Sequence, residues 1–597
     1  MNTTKKQEAM LEREHIANRR KHWVRAVTAC NSRCVFCLDM DTPRNVFLPF
    51  EKVCAELRRG IEEFGADKVI VSGGEASLHP RFFDIIRYGK SIGYDRVQTV
   101  TNGWKYAERD FYKSAISAGL GEITFSLHGH TPELHDRLTQ HRGSFKRLMK
   151  GMIRAVRDPK GPIVNVDVVI NKQNVPHLDK IISLCASVGI REFDLLHVIP
   201  QSEAFRNRDM LFYDIREHQE VLHKVFRLNR HPGFVIWTNR FPVSYLEGLE
   251  DLIQDPHKMI DEVHGRRYHV RRYLDTGEPL DCREKERCVH CFIEPFCTTM
   301  DRFVQRQNED KFDVWQLQNP HDDLPAELPF GCSVIGVQVD NANEIPRLHH
   351  PLEATVNTSG PLPEVEYPVR WIAKTTEQLE RWLPELSPNQ EVEIWLTEEI
   401  AKWMLEPENK KIVQAQLDRL RIHQPHYEKM NEAVQFDVRD PRKFFSMLNL
   451  PVRVSGLPQC LIGSGKQVPS IARLSPSLFD SANGRVDIRA LSKHHIKNGY
   501  FAKSERCRDC ALNDGCDGIH INMIRDQGLQ LAQPIQNTQH PVPSLPRISK
   551  GMPPQKPASS AFGFGPPSAP PRDPLAVIGD EITEKRKVRI AKRMGRD

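Results

Sequence analysis

The sequence predicts an α/β chain: a partial (β/α)6 barrel, then small cysteine-rich modules, then a disordered tail. Three observations carry this reading. Strand-like and helix-like segments alternate six times over the first 200 residues. Eleven of the 14 cysteines then fall into one set of three and two sets of four. Finally, residues 541–574 hold 11 prolines, a composition that stays extended or disordered.

The elements follow in order. An apolar run over 22–29 reads as the first strand and ends at Cys30. Residues 49–64 place Phe50, Val53, Cys54, Leu57, Ile61 and Phe64 at helical spacing. The second strand, 68–72 (KVIVS), ends at Gly73-Gly74-Glu75. A third strand over 96–101 ends at Thr101-Asn102-Gly103, and a fourth over 122–127 passes Ser126 to reach His128-Gly129. Strands over 163–170 and 192–198 complete the six, with helices over 80–92, 108–118, 144–157 and 175–188 between them. Such alternation requires a parallel sheet with right-handed crossovers. Six units make a partial barrel of the TIM type, whose sites lie at the C-terminal ends of the strands. Every motif named above falls at such an end.

The loop after the first strand reads Cys30-Asn31-Ser32-Arg33-Cys34-Val35-Phe36-Cys37. Three cysteines on one loop can present three thiolates to one face of a four-iron cluster, which leaves one iron open. Zinc, which prefers four ligands, and a redox pair are the competing readings of the loop alone. Taken with Gly73-Gly74-Glu75 one strand and one helix later, the loop resembles the signature of the radical S-adenosylmethionine (radical SAM) superfamily. The resemblance implies a [4Fe-4S] cluster held by Cys30, Cys34 and Cys37. It implies S-adenosylmethionine chelated at the open iron, and a 5′-deoxyadenosyl radical that abstracts a substrate hydrogen. By the same resemblance Gly73, Gly74 and Glu75 contact the methionyl group, and Asn102 and Ser126 occupy strand ends that touch the cofactor. His128 either donates to a carboxylate or lines the cavity mouth.

Two further sets share the core Glu-Arg-Cys-x2-Cys-x5-Cys: Cys282, Cys288, Cys291 and Cys297, and Cys460 with Cys507, Cys510 and Cys516. The repetition reads as a duplicated small module. Phe241-Pro242-Val243 and Leu450-Pro451-Val452 are weak upstream echoes. The core resembles the SPASM and twitch extensions of radical SAM enzymes, which implies two auxiliary [4Fe-4S] clusters. The positions of the next SPASM cysteine hold Asp301 and His520. Two four-cysteine zinc sites also fit the spacing.

The ranges that result are a charged helix over 1–21, the barrel over 22–240, a first module over 241–301, a linker with a small α/β insert over 302–450, a second module over 451–530, and a proline-rich tail with a basic end over 531–597. Within the insert, residues 310–363 read as irregular, 367–374 and 391–396 as strands, and 376–386 and 397–405 as helices. A degenerate half-barrel left by duplication is one origin for it, and its four tryptophans read as core. Cys54 and Cys185 read as core residues, His494-His495 as solvated surface. The first 20 residues are charged and lack an apolar export segment, and no run is long enough to span a membrane. Cysteines in tight clusters without an export signal point to metal in a cytoplasmic enzyme. The net charge is +6, of which residues 581–597 supply +4, so nucleic-acid binding gains no special support. The resemblance implies a peptide or protein substrate and an electron donor such as flavodoxin or ferredoxin. A small-molecule or RNA substrate, or a non-catalytic electron carrier, are the alternatives.

Overall fold

The computed structural model describes Leu11 and residues 21–231, 233–320, 327–346 and 350–536. The charged helix expected over 1–21 and the tail beyond 536 therefore lie outside the described residues, apart from Leu11 and Lys21. Two parallel sheets dominate the rest.

The first contains β1 (Lys21–Val27), β2 (Lys68–Gly73), β3 (Arg96–Thr101), β4 (Leu120–Ser126), β5 (Ile163–Ile170), β6 (Glu192–His197) and β7 (Val235–Asn239), hydrogen-bonded in chain order. Each crossover carries a helix, and the outer sheet face is apolar where these helices pack: Val69, Val71, Val97, Ile123, Phe125, Val166 and Val168 are all buried. Cys54 and Cys185 are buried beneath them, as expected of core residues. Alternate residues face the lumen, and several of them are polar. Lys68 Nζ donates to Glu122 at 2.7 Å, and Asn165 Nδ2 donates to the same carboxylate at 3.1 Å. The barrel thus has seven strands, not six. The missed one, VIWTN, is a five-residue run behind Gly233, too short for periodicity to separate it from loop.

The region expected to be a linker with a small insert is instead a second sheet. Its strands are β8 (Val314–Gln316), β9 (Val334–Val339), β10 (Leu352–Val356), β11 (Val369–Ala373), β12 (Gln390–Trp395), β13 (Leu420–His423), β14 (Arg453–Ser455), β15 (Lys466–Gln467) and β16 (Arg473–Leu474). β8 to β14 again lie in chain order and run parallel. β15 pairs with β14 at one edge while β16 pairs with β8 at the other. Only residues 468–472 separate β15 from β16, so one extended stretch spans the gap between the edges and closes the sheet into a barrel. From that stretch Arg473 reaches the lumen and binds Glu353 and Glu393, both at 2.6 Å.

Seven strands followed by a four-cysteine module thus occur twice. The Phe-Pro-Val and Leu-Pro-Val echo is not part of this repeat, since the first follows β7 and the second precedes β14. Trp371, Trp382 and Trp403 are core, but Trp395 is half-buried at the mouth of the second barrel. His495 is fully buried in helix Ile488–Asn498, its Nδ1 2.7 Å from Thr299 Oγ1, contrary to the solvated surface expected.

Candidate active site at the mouth of the first barrel

The three-cysteine loop is fixed by the strands on either side of it. Past β1 the chain crosses directly over Gly73 and Gly74. A Cβ on Gly73, whose φ is +135°, would fall 1.9 Å from Val27 O, and one on Gly74 would fall 2.4 Å from Ala29 O. Gly74 N donates to Val27 O and Glu75 N to Ala29 O, both at 2.8 Å. The close approach that these glycines permit is therefore first of all that of residues 27–29, which aims Cys30 into the mouth.

Glu75 is buried. Its Oε1 accepts from Ser77 N at 3.2 Å, Ser77 Oγ at 2.5 Å and Thr101 Oγ1 at 2.8 Å, and its Oε2 accepts from Asn102 N at 2.7 Å. Burial raises its pKa, and these hydrogen bonds pull the other way. Asn102 Nδ2 donates to Asn31 Oδ1 at 2.7 Å, tying the end of β3 to the cysteine loop. On the loop's far side, Arg33 N and Val35 N donate to Thr139 O and Leu138 O, both at 3.0 Å. Phe36 packs edge-on to His128 at 4.6 Å. His128 is buried, and its Nδ1 accepts from Val169 N at 3.2 Å, so it supports the loop from below.

Cys30, Cys34 and Cys37 are half-buried neighbours. Burial, and then Glu75, push the Cys30 thiol up to about 11; burial, then Cys30 and Cys37, push Cys34 higher still. Mutual repulsion of this kind is relieved by a cationic centre that binds thiolates. Ser32 N donates to Cys30 Sγ at 3.4 Å, a contact that favours the thiolate. Among the described residues no three His, Cys, Asp or Glu side chains are spaced for a single metal ion. Three thiols on one loop, within electrostatic reach of one another, are the donor chemistry that suits an iron–sulfur cluster with one open iron.

Ser126 hydrogen-bonds Asp167, its cross-strand partner on β5. Burial, with the nearby Asp194 carboxyl also acting, raises Asp167 to about 7. Asp167 also lies within electrostatic reach of Cys34. Sequence reading missed it; the available signal was a lumen-facing Asp, two residues after Asn165, in the otherwise apolar IVNVDVVI.

The four-cysteine sets assemble as well. Cys291 and Cys297 sense Cys282, and Cys291 also senses Cys288. Cys460, just past β14, meets Cys507 and Cys510, and Cys516 senses Cys460. Asp301 is occupied by Arg283 and by Tyr273, whose hydroxyl donates at 2.8 Å. His520 is buried, its Nε2 2.9 Å from Ile496 O. The first module sits against the segment after β6: Arg287 lies 3.8 Å over Phe205, and His290 stacks on Phe212 at 4.6 Å. That same segment holds the three-cysteine loop, with Glu203 N donating to Cys37 O at 3.2 Å and Asn207 Nδ2 to Val35 O at 3.0 Å. Arg302 and Asp517 pair at 2.6 Å between the modules, and Arg506 ties the second module to Glu247 at 2.6 Å.

The site is thus a parallel partial barrel with a three-cysteine loop at its C-terminal mouth and cysteine modules beside it. Residues 24–185 match the model of the Radical SAM superfamily. Among curated relatives it is 29% identical over 201 residues to a probable GTP 3',8-cyclase of Saccharolobus solfataricus, covering 33% of this chain and 62% of the relative. The corresponding Sulfurisphaera tokodaii protein is 27% identical over 179 residues, covering 29% and 53%. The chain thus spans less than two thirds of the curated relatives it matches. Among solved structures, SuiB of Streptococcus suis bound to precursor peptide SuiA aligns with a TM-score of 0.32 and 16% identity, over 42% of this chain and 55% of that one. Methylornithine synthase PylB aligns at 0.31 and 14%, over 39% and 70%. Among the described residues, no helix is long and apolar enough to cross a membrane.

Proposed function

We propose that this chain is a radical SAM enzyme that modifies a peptide or protein oxidatively. When bound, a [4Fe-4S] cluster and S-adenosylmethionine supply the electron and the 5′-deoxyadenosyl radical that abstracts a substrate hydrogen. Cys30, Cys34 and Cys37 hold the cluster. Gly73 and Gly74 set the loop's height, and Glu75 and Asn102 fix the joint between β2, β3 and the loop. Glu75 Oε2 accepts one hydrogen bond from the protein, which leaves it capacity for an ammonium donor. Ser126 and Asp167 face the lumen beside Cys34. The two four-cysteine sets hold auxiliary clusters that pass electrons; an external flavodoxin or ferredoxin is the donor. The observation that carries the reading is the assembly of the three-cysteine loop and Gly-Gly-Glu at the mouth of a parallel barrel.

The two modules favour a peptide or protein substrate, by resemblance to maturases with SPASM-type extensions. The similarity to probable GTP 3',8-cyclases favours a second reading, a small-molecule substrate such as a nucleotide. Anaerobically reconstituted, reduced protein with S-adenosylmethionine tests both. It should release 5′-deoxyadenosine, and the substrate class is the one, peptide or GTP, whose addition accelerates release and yields product. Absence of 5′-deoxyadenosine under every condition would leave the electron-carrier reading.

A further inference from the structure

The second barrel repeats the strand order of the first, but its strand ends carry neither the cysteine triad nor Gly-Gly-Glu. They carry positive charge and aromatic rings instead. Lys374 directly follows β11, and Trp395, His423 and Ser455 end β12, β13 and β14. Alternation along the strands places Glu393, Arg421 and Arg453 one layer deeper in the lumen, and Arg370, level with Glu353, one layer below them.

These residues form a floor, a wall and a roof. The floor is the ion network in which Arg473 binds Glu353 and Glu393, with Arg370 on Glu353 at 3.1 Å and Arg421 on Glu393 at 3.7 Å. Its two buried glutamates are already engaged by three arginines, so they do not neutralise anything above. The wall is Trp395, with the Lys374 ammonium 4.7 Å over its ring and the His423 ring 6.1 Å away. His423 is held by Ser455 Oγ at 3.0 Å. The roof comes from the second cysteine module. His426, whose Nε2–H donates to Gly456 O at 2.9 Å, stacks on His520 at 4.6 Å and meets Phe501 at 5.1 Å. β17 (Phe501–Ala502) and β18 (Ile519–His520) form the antiparallel hairpin that brings this roof over the mouth.

Lys374 makes no ion pair among the described residues. The charge acting on it is that of a second lysine, Lys497, which with burial lowers its pKa; Lys497 acts on His426 as well. Lys374, half-buried over Trp395 and without an ion pair, and the exposed Lys497 within electrostatic reach of it leave positive charge above an arginine-rich floor, an arrangement that a bound anion would relieve. Trp395, Phe501 and the neutral histidines supply the ring surface that ligand sites use for the body of a ligand.

We propose that the mouth of the second barrel is an anion-binding site. It takes a carboxylate or phosphate group between Lys374 and Lys497 and lays the attached planar or apolar part on Trp395. The site is independent of the radical reading: it uses none of the residues of the first barrel.

Isothermal titration of the full-length, cluster-loaded protein tests it, at constant ionic strength and with chloride as the blank. Glutarate probes carboxylate recognition and pyrophosphate probes phosphate. At least one should bind saturably, and the one that does names the source of the anion. Lys374→Met and Lys497→Met should each weaken it by about tenfold or more, as expected for a lost charge-assisted hydrogen bond. Lys374→Arg should keep it, which separates a lost charge from a lost fold. S-Adenosylmethionine binding should be unchanged in all three. The proposal is overturned if neither anion binds, or if the bound anion ignores both Lys→Met variants.

Discussion

Single residues decide whether the first mouth can do chemistry. Replacing Cys30, Cys34 and Cys37 together with Ala should abolish reductive cleavage and remove about four of roughly 12 irons, one cluster of three. Persisting 5′-deoxyadenosine would contradict their role. Glu75 has a second task. Its carboxylate satisfies donors on Ser77, Thr101 and Asn102 inside the protein, so Glu75→Ala should cost stability before any cofactor is added. We expect about 1–3 kcal/mol, the cost of leaving such buried donors unpaired, read from urea unfolding of the iron-free protein. An unchanged midpoint would confine Glu75 to ligand binding. At this scale the cysteines were legible because their signal is local spacing. Asp167 was not, because its meaning comes from Ser126 on the neighbouring strand and from Cys34 across the mouth.

Elements set where those residues point. Gly73→Ala would push a Cβ against Val27 O and dislodge the stretch that carries Cys30. The first cluster alone should be lost, a fall of about four irons, while both four-cysteine modules stay loaded. Equal loss from all three would mean that the glycine serves the fold in general. For the modules, Cys288→Ala with Cys291→Ala, and separately Cys507→Ala with Cys510→Ala, should leave uncoupled 5′-deoxyadenosine release intact while product formation falls. Wild-type product rates in both variants would make the modules structural. The strands of the first barrel were legible because runs such as KVIVS are bounded by motif residues at their ends. β8, β9 and β10 were hidden among prolines, asparagines and aspartates, where runs of three to six residues carry no separable period. What makes them strands is the neighbour each one pairs with, which no local window contains.

Across the whole molecule, the two strand–module units meet through charge. His257, on the stretch after the first barrel, bridges Asp255 at 3.0 Å and Glu428, beyond β13, at 3.1 Å. The Asp255 hydrogen bond raises the His257 pKa above 6.5, and the Glu428 contact adds to it. The stability it contributes is therefore full below the unfolded value and lost as pH rises through the raised folded value. Asp255, held at about 2, keeps its share above 3.8 and loses it only as pH falls towards 2. The melting-temperature advantage of wild type over His257→Gln should therefore shrink on going from pH 6 into the alkaline range. A constant advantage would assign His257 a packing role.

The stretch that shuts the second barrel also dictates an order of events. Ala472 N donates to Asp313 Oδ2 at 2.7 Å across 159 residues of chain, so this ring cannot be completed until nearly the whole unit has been synthesised. Cys460 precedes the clasp, whereas Cys507, Cys510 and Cys516 follow it. Any centre that joins these four sulfurs ties a loop around the clasp and removes freedom from the open chain. Iron delivered to the second module would then act as a latch on a barrel that contributes only one of its four ligands. Starving the protein of iron should expose residues 466–474 to proteolysis while β1 to β7 stay protected.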